Sequence, residues 1–168
     1  MKNPKKILEY VLITFTSVGQ IIYTIFTYPQ PVSSDLRNTG WIMLWISAVF
    51  GILPIIIFRK KGGVVRGMSY MHTTKLVEDG VYEIVRHPQY LSGIIMSIGF
   101  SLISPKTINF LFSIANIIQY ILTAYEADKN NRRKFGSAYL WYEQKVPGLN
   151  LFTGMWRYVK RTIQQKNQ

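Results

Sequence analysis

Long apolar runs separated by short charged blocks dominate the pattern of this chain. The first run extends from about Ile7 to Tyr28, between Lys2, Lys5 and Lys6 on one side and YPQPVSSD on the other. The second covers about Trp41 to Phe58, contains Pro54 and stops at RKK. The third runs from Pro88 to about Ser104 and the fourth from Thr107 to Tyr125, with only SPK marking the junction. Each is near the roughly 20 residues that a helix needs to cross a bilayer, the third being the shortest. The pattern predicts an all-α, polytopic membrane protein with about four transmembrane helices, at about 7–28, 41–58, 88–104 and 107–125. The last two form a tight helical hairpin, and a cytoplasmic helical tail follows over 126–168, all within one domain of residues 1–168. The first run lacks a small-residue cleavage box and is long enough to span, so it reads as a helix of the protein rather than a signal peptide. Pro54 should kink the second span, which membrane helices tolerate.

Charge orients these spans. The chain carries a formal charge of +12 although 48 % of its residues are hydrophobic. Three lysines stand at the N-terminus, and the loop between the first two spans has only Arg37, offset by Asp35. The next loop holds Arg59, Lys60, Lys61, Arg66, Lys75 and Arg86, the hairpin turn has only Lys106, and the tail holds the remaining nine basic residues. Alternate loops are basic, which puts both termini in the cytoplasm, here expected at the plasma membrane. The same residues suit anionic headgroups, so membrane lipids explain the charge better than nucleic acid. With no cysteine, disulfides, thiolate nucleophiles and cysteine metal sites are excluded. Two distant histidines, His72 and His87, argue against a protein-built metal site. RKKGGVVRG lacks the glycine spacing of a phosphate loop, so a nucleotide cofactor would not sit in a Rossmann fold.

Polar residues interrupt the apolar runs in register. Asn109, Ser113, Asn116, Tyr120 and Thr123 follow helical spacing on the fourth run, with Gln119 beside them and Glu126 at the end. Such a stripe must face protein, a cavity or a ligand. Interhelical hydrogen bonding and a polar site both account for its outer half; near Glu126, where charged loop and tail converge, the functional reading leads. Ser17, Gln20, Thr24 and Thr27 make a polar face on the first run that suits packing, and Gly93, Ser97 and Ser101 give the third a small-residue face for a close neighbour.

Two clusters carry candidate chemistry. In YEIVRHPQYLSG, Pro88 suits the first turn of a helix and His87 stands at its cap. Free N–H groups, the helix dipole and the forked guanidinium of Arg86 make an anion pocket there, for a carboxylate or a phosphate. Tyr82 and Tyr90 could stack on a flat ring. In YEADKNNRRKFGSAYLWYEQKVPGLN, Glu126 and Asp128 follow the polar stripe, Phe135-Gly136 reads as a helix stop, and Tyr139 and Tyr142 share a face of the next helix. The carboxylates could serve ribose hydroxyls or an amine; alternatively they pair with Lys129 and Arg132 along their own helix. LFTGMWRYVKR reads as an amphipathic segment on the membrane surface.

DGVYEIVRHPQYLSG and FGSAYLWY with its KVP ending, in this order and spacing, resemble the isoprenylcysteine carboxyl methyltransferase family over Val77 to about Pro147. The resemblance implies an integral-membrane methyltransferase using S-adenosylmethionine. It implies a cofactor site of Tyr82, Arg86, His87, Pro88, Tyr90, Glu126, Asp128 and Tyr139, with Arg86 and Glu126 catalytic and no metal. The family's two adjacent glutamates are here Glu126-Ala127-Asp128, which leaves two candidates for the acidic role. The acceptor is lipid-soluble or amphipathic: a prenylcysteine-type carboxylate, a phospholipid amine or a small hydrophobic molecule. Sterol-reductase-like proteins using NADPH share a similar ending and form the alternative enzyme reading; a non-catalytic membrane scaffold is the other.

Overall fold

The computed structural model describes residues 4–64, 67–68 and 73–166; Lys2, Arg66 and His72 lie outside the described residues. Among the described residues six helices form: α1 (Pro4–Thr27), α2 (Ser34–Lys61), α3 (Pro88–Ile103), α4 (Thr107–Phe135), α5 (Ser137–Lys145) and α6 (Leu151–Lys166), with a 3-10 turn at Gly80–Glu83 before α3. There is no strand among the described residues. By length and composition α1 from Leu8, α2 and α4 can each cross a membrane. α3 is apolar but has 16 residues, about 24 Å at the α-helical rise, against a hydrocarbon layer of about 30 Å.

Two helices are longer than their apolar runs. α2 starts at Ser34, where Arg37 N–H donates to Ser33 O at 3.1 Å and Asp35 stands in the first turn. An acidic residue there suits the positive end of the helix, so the polar stretch before Trp41 winds up instead of forming a loop. α4 continues past Tyr125 to Phe135. Glu, Ala, Lys and Arg are good helix formers, so the charged end propagates the same helix. Glu126 and Asp128 therefore stand on the helix that carries the polar stripe.

The chain divides into two compact units. The first comprises Met1–Val49 and Leu91–Thr123. Its burial is inverted relative to a water-soluble domain: Asn109 and Asn116 are 0 % exposed, while Phe26 and Trp45 are 79 % and 73 % exposed. Lipid is the solvent that makes this stable, because apolar side chains can face hydrocarbon whereas polar groups must find partners inside. Gln20 Nε2 donates to Ser113 Oγ at 2.7 Å and Ser97 O at 2.9 Å, and Gln20 Oε1 accepts from Asn116 Nδ2 at 2.9 Å. Thr16 Oγ1 donates to Asn116 Oδ1 at 2.6 Å, and Asn109 Nδ2 donates to Thr24 Oγ1 at 3.0 Å and Ser104 O at 2.9 Å. The stripe of α4 is thus spent on α1 and α3 as far as Tyr120, whose hydroxyl is 3.4 Å from Ser17 Oγ.

Small residues set the closest approaches in this unit. A Cβ on Gly93 would lie 2.3 Å from the Tyr120 ring, so the neighbour of the small face of α3 is α4. A Cβ on Gly40 would lie 2.7 Å from Gly99 O and 3.0 Å from Ile103 N, so the α2 and α3 backbones touch there.

The second unit comprises Phe50–Tyr90 and Ala124–Gln168. Its buried cluster is Tyr139, Tyr142 and Val146, with Leu76 and Phe135 packed against it. The buried tyrosines make it unlike the first unit: here aromatic bodies fill the centre and their hydroxyls reach polar partners.

Two substitutions separate polar from steric contributions in the first unit. N109L should lower stability by about 1–2 kcal/mol, because Thr24 and the Ser104 carbonyl lose their donor. G40L should cost more, because backbone atoms of Gly99 and Ile103, and not the Ile103 side chain alone, block the added group. Unfolding in mixed detergent, monitored by circular dichroism, measures both; an N109L protein as stable as wild type would contradict the assignment of the stripe.

Candidate functional site

The site is assembled in the second unit from three pieces of chain. The first begins at Asp79-Gly80. Gly80 has φ +63°, a conformation that glycine adopts without penalty, and its N–H donates to Glu83 Oε1 at 3.0 Å. The 3-10 turn that follows buries Val81 and Tyr82, and Val85 is fully buried. Arg86 N–H then donates to Pro147 O at 3.0 Å and His87 N–H to Gly148 O at 3.1 Å. The backbone of Arg86-His87 is therefore clamped to the segment after α5. Pro88 opens α3 as predicted, buried and without an N–H to satisfy.

The second and third pieces are one face of α4 and one face of α5. Asp128, Asn131, Arg132 and Phe135 are spaced i, i+3, i+4, i+7 on α4, and Tyr139, Tyr142, Glu143 and Val146 repeat that spacing over α5 and its C-cap. Gly136, at φ +57°, turns the chain between them.

Charge chemistry ties the three pieces together. Arg86 Nη2 donates to Asp128 Oδ2 at 3.0 Å. His87 Nε2 lies 2.6 Å from Asp128 Oδ1, and Tyr139 Oη donates to the same oxygen at 2.6 Å. Arg86 Nη1 lies 2.5 Å from Glu143 Oε1, a charge contact without hydrogen-bond alignment. Arg132 grips Glu143 with two bonds, Nε to Oε2 at 2.7 Å and Nη2 to Oε1 at 3.0 Å. Arg86, Asp128 and Glu143 side chains are only 11 %, 13 % and 13 % exposed, so these pairs are little screened by solvent. The anion expected beside Arg86 is thus provided by the chain itself. Arg86 Nε nevertheless stays buried without a hydrogen-bond partner among the described residues.

Aromatic rings complete the walls. Tyr82 stacks on Phe58 with centroids 4.8 Å apart, and its carbonyl accepts from Tyr142 Oη at 2.7 Å. Tyr90 stacks on His87 at 5.6 Å. Burial, then the hydrogen bond to Asp128, holds the Tyr139 phenol far above its ordinary range; burial does the same for Tyr142. Both stay neutral O–H donors. A cavity of about 170 Å³ is lined by Phe58, Tyr82, Arg86, His87, Pro88, Tyr90, Ala127 and Asn131, among others. A smaller one of about 50 Å³ shares Phe58, Tyr82, Arg86 and Asn131 and adds Tyr139 and Tyr142.

Of the residues singled out from the sequence, Arg86, His87, Asp128 and Tyr139 form one bonded cluster, and Tyr82, Pro88 and Tyr90 stand around it. Glu126 is half-buried, lines neither cavity, and makes no hydrogen bond or ion pair among the described residues. Asp128 does not pair with Arg132 along α4; Arg132 turns to Glu143 instead. Glu143, Asn131 and Phe58 escaped sequence reasoning. The position of Glu143 four residues after Tyr139, on the tyrosine face of α5, was the available signal. No group of three or more His, Asp or Glu able to hold a metal ion occurs among the described residues.

The family model described as phospholipid methyltransferase matches residues 36–129. A protein-S-isoprenylcysteine O-methyltransferase B of Arabidopsis thaliana is 28 % identical over 151 residues, covering 83 % of this chain and 72 % of the relative. A protein-S-isoprenylcysteine O-methyltransferase of Xenopus laevis is 25 % identical over 178 residues, covering 92 % of this chain but 58 % of the relative's longer sequence. No solved structure matches.

Tyr139 gives a pH signature. Its folded pKa is raised above the unfolded value near 10, so its contribution is complete below about pH 10 and is lost as pH climbs beyond it, the unfolded chain ionising first. Y139F should lower stability by about 1–3 kcal/mol at neutral pH, since Asp128 and Asn131 lose a partner, and should fall less steeply in alkali than wild type. Thermal unfolding between pH 7 and about 11 tests both; parallel alkaline profiles for the two proteins would contradict the neutral-donor role.

Proposed function

This chain belongs to the phospholipid methyltransferase family, and on that premise we propose that it moves a methyl group from S-adenosylmethionine to a lipid-soluble or amphipathic acceptor at the cytoplasmic membrane face. Membership makes it a membrane methyltransferase for lipid-type acceptors. The cofactor, the face and the residue roles are our reading. The single observation that carries it is the Asp128 carboxylate, which holds Arg86, His87 and Tyr139 at one wall of an aromatic-lined cavity.

The residues fit such a cofactor. Arg86 keeps a buried Nε–H without a partner, a donor suited to the carboxylate of an amino-acid end. Phe58, Tyr82 and Tyr90 offer rings for a base. At about 170 Å³ the cavity is smaller than the roughly 300–1,000 Å³ that encloses a whole drug-sized ligand, so it takes one end of the cofactor. The bound cofactor supplies an electrophilic methyl group for in-line displacement, chemistry that needs alignment more than a metal. Asp128 and Tyr139 act by position: they fix Arg86 and His87, which line the larger cavity, and do not line it themselves. Glu126, half-buried and without a hydrogen bond or ion pair among the described residues, is the carboxylate left for a ligand amine, a ribose hydroxyl or the acceptor's proton.

We read four spans, α3 being the short one, with the last two paired as a hairpin and both termini and this site in the cytoplasm of a plasma-membrane protein. The alternation of basic loops supports that topology. For the acceptor, a prenylcysteine-type carboxylate leads, because both curated relatives carry isoprenylcysteine in their names; a phospholipid amine or a small hydrophobic molecule comes next.

Calorimetric titration of the solubilised protein with S-adenosylhomocysteine tests the reading, with NADPH as control. Binding of the former alone is the expected result, and binding of NADPH alone would sink it. D128N should weaken the affinity about tenfold or more and lower the melting temperature, because Arg86 and His87 lose a charged acceptor. E126Q should leave the melting temperature unchanged and reduce methyl transfer to a farnesylcysteine analogue or phosphatidylethanolamine. Equal effects of the two substitutions on stability would contradict the division of roles.

A further inference from the structure

α6 is a helix with an uncovered face. Phe152, Met155, Trp156, Val159 and Ile163 follow i, i+3, i+4, i+7, i+11 and are 87 %, 51 %, 72 %, 49 % and 55 % exposed. Such a stripe is one side of a helix. The helix contains no acidic residue, while Arg157, Lys160, Arg161 and Lys166 are basic. Asn150 caps its start, accepting from Thr153 N–H at 3.0 Å. Broad aromatic residues on one face and cations beside them are the composition of a helix lying in a lipid interface. With three bilayer-length apolar helices among its described residues the protein has such an interface at hand, and the cations select an anionic one.

The other side of α6 reaches the Arg86-His87 turn. Gly154 is buried, and a Cβ there would lie 2.1 Å from Ile84 O, so the helix rides directly on the backbone of that turn. Arg161 Nη2 donates to Glu83 O at 2.7 Å, and its Nη1 donates to Lys145 O at 2.8 Å. Arg161 thus bridges the two segments that meet where Arg86 and His87 bond to Pro147 and Gly148. We propose that α6 is an anchor for an anionic lipid surface and that its seating, through Gly154 and Arg161, holds the Arg86-His87 turn in register. The occupant of the apolar face is the bilayer, not a second copy. A lipid can bias the turn only by favouring the docked position of α6 over a released one, which its apolar face and its cations both do.

The chain has no cysteine, so F152C carrying a polarity-sensitive fluorophore reports on this face alone in the intact chain of residues 1–168. It would be reconstituted in nanodiscs of phosphatidylcholine with or without phosphatidylglycerol, each with and without acyl-brominated lipid. Quenching by brominated lipid should be stronger in the anionic discs. K160Q and K166Q, at exposed lysines outside the site, should each lower the seated-to-released ratio about fivefold there. Hydrogen exchange of the peptide spanning residues 83–87 should slow in anionic discs and recover in the double variant. This readout needs no cofactor, so it fails or succeeds independently of the methyl-donor reading. Equal quenching in neutral and anionic discs, exchange at 83–87 that ignores lipid, or energy transfer between labelled copies in place of quenching would each overturn the proposal.

Discussion

The Asp128 carboxylate is the tie on which the second unit depends. It takes Tyr139 on one oxygen, Arg86 on the other, and has His87 beside the first. Those partners are some forty residues upstream and about ten downstream, so no local preference brings them together. Partly buried ion clusters add little net stability, because desolvation offsets much of the attraction. Losing one member is costly, since it strands charge in a poor solvent. The consequence is register: alternative packings of α4 against α5 and the Arg86 turn leave a carboxylate or a guanidinium unpaired. Glu143, shared by Arg86 and Arg132, applies the same constraint a second time.

The first unit obeys the same rule without charge. Gln20, Asn116 and Ser113 satisfy one another, and Asn109 pairs with Thr24 and the Ser104 carbonyl. Each bond is worth less than its vacuum strength suggests, because an unfolded chain in a bilayer also finds partners. Their number and direction still choose which helix faces meet. Apolar side chains cannot make that choice, since lipid solvates them as well as protein does.

Much of this was legible from pattern alone. Apolar runs gave the membrane helices, the Phe135-Gly136 stop separated α4 from α5, and spacing gave the polar faces of α1 and α4 and the small-residue face of α3. The helix ends were not legible where charge follows an apolar run. Hydropathy falls at Tyr125, but helix propensity does not, and α4 goes on to Phe135. The stripe's destination was also open, because a polar face looks the same from the sequence whether it meets another helix or a ligand. Glu143 was missed for a related reason: its partners, Arg86 and Arg132, come from segments that only the tertiary fold brings together.

The Glu126-Ala127-Asp128 run shows why one residue of spacing matters. Positions two apart on an α-helix point about 200° from each other, so both carboxylates cannot face Arg86. Asp128 shares its face with Asn131, Arg132 and Phe135 and takes the guanidinium. Ala127 lies between and lines the larger cavity, where its methyl group leaves room that a second acid would fill and charge. Glu126 is turned away and makes no hydrogen bond or ion pair among the described residues. Adjacent acids, about 100° apart, would compete for the same cation and crowd the same wall. The intervening alanine separates the two acids, so only Asp128 reaches the arginine.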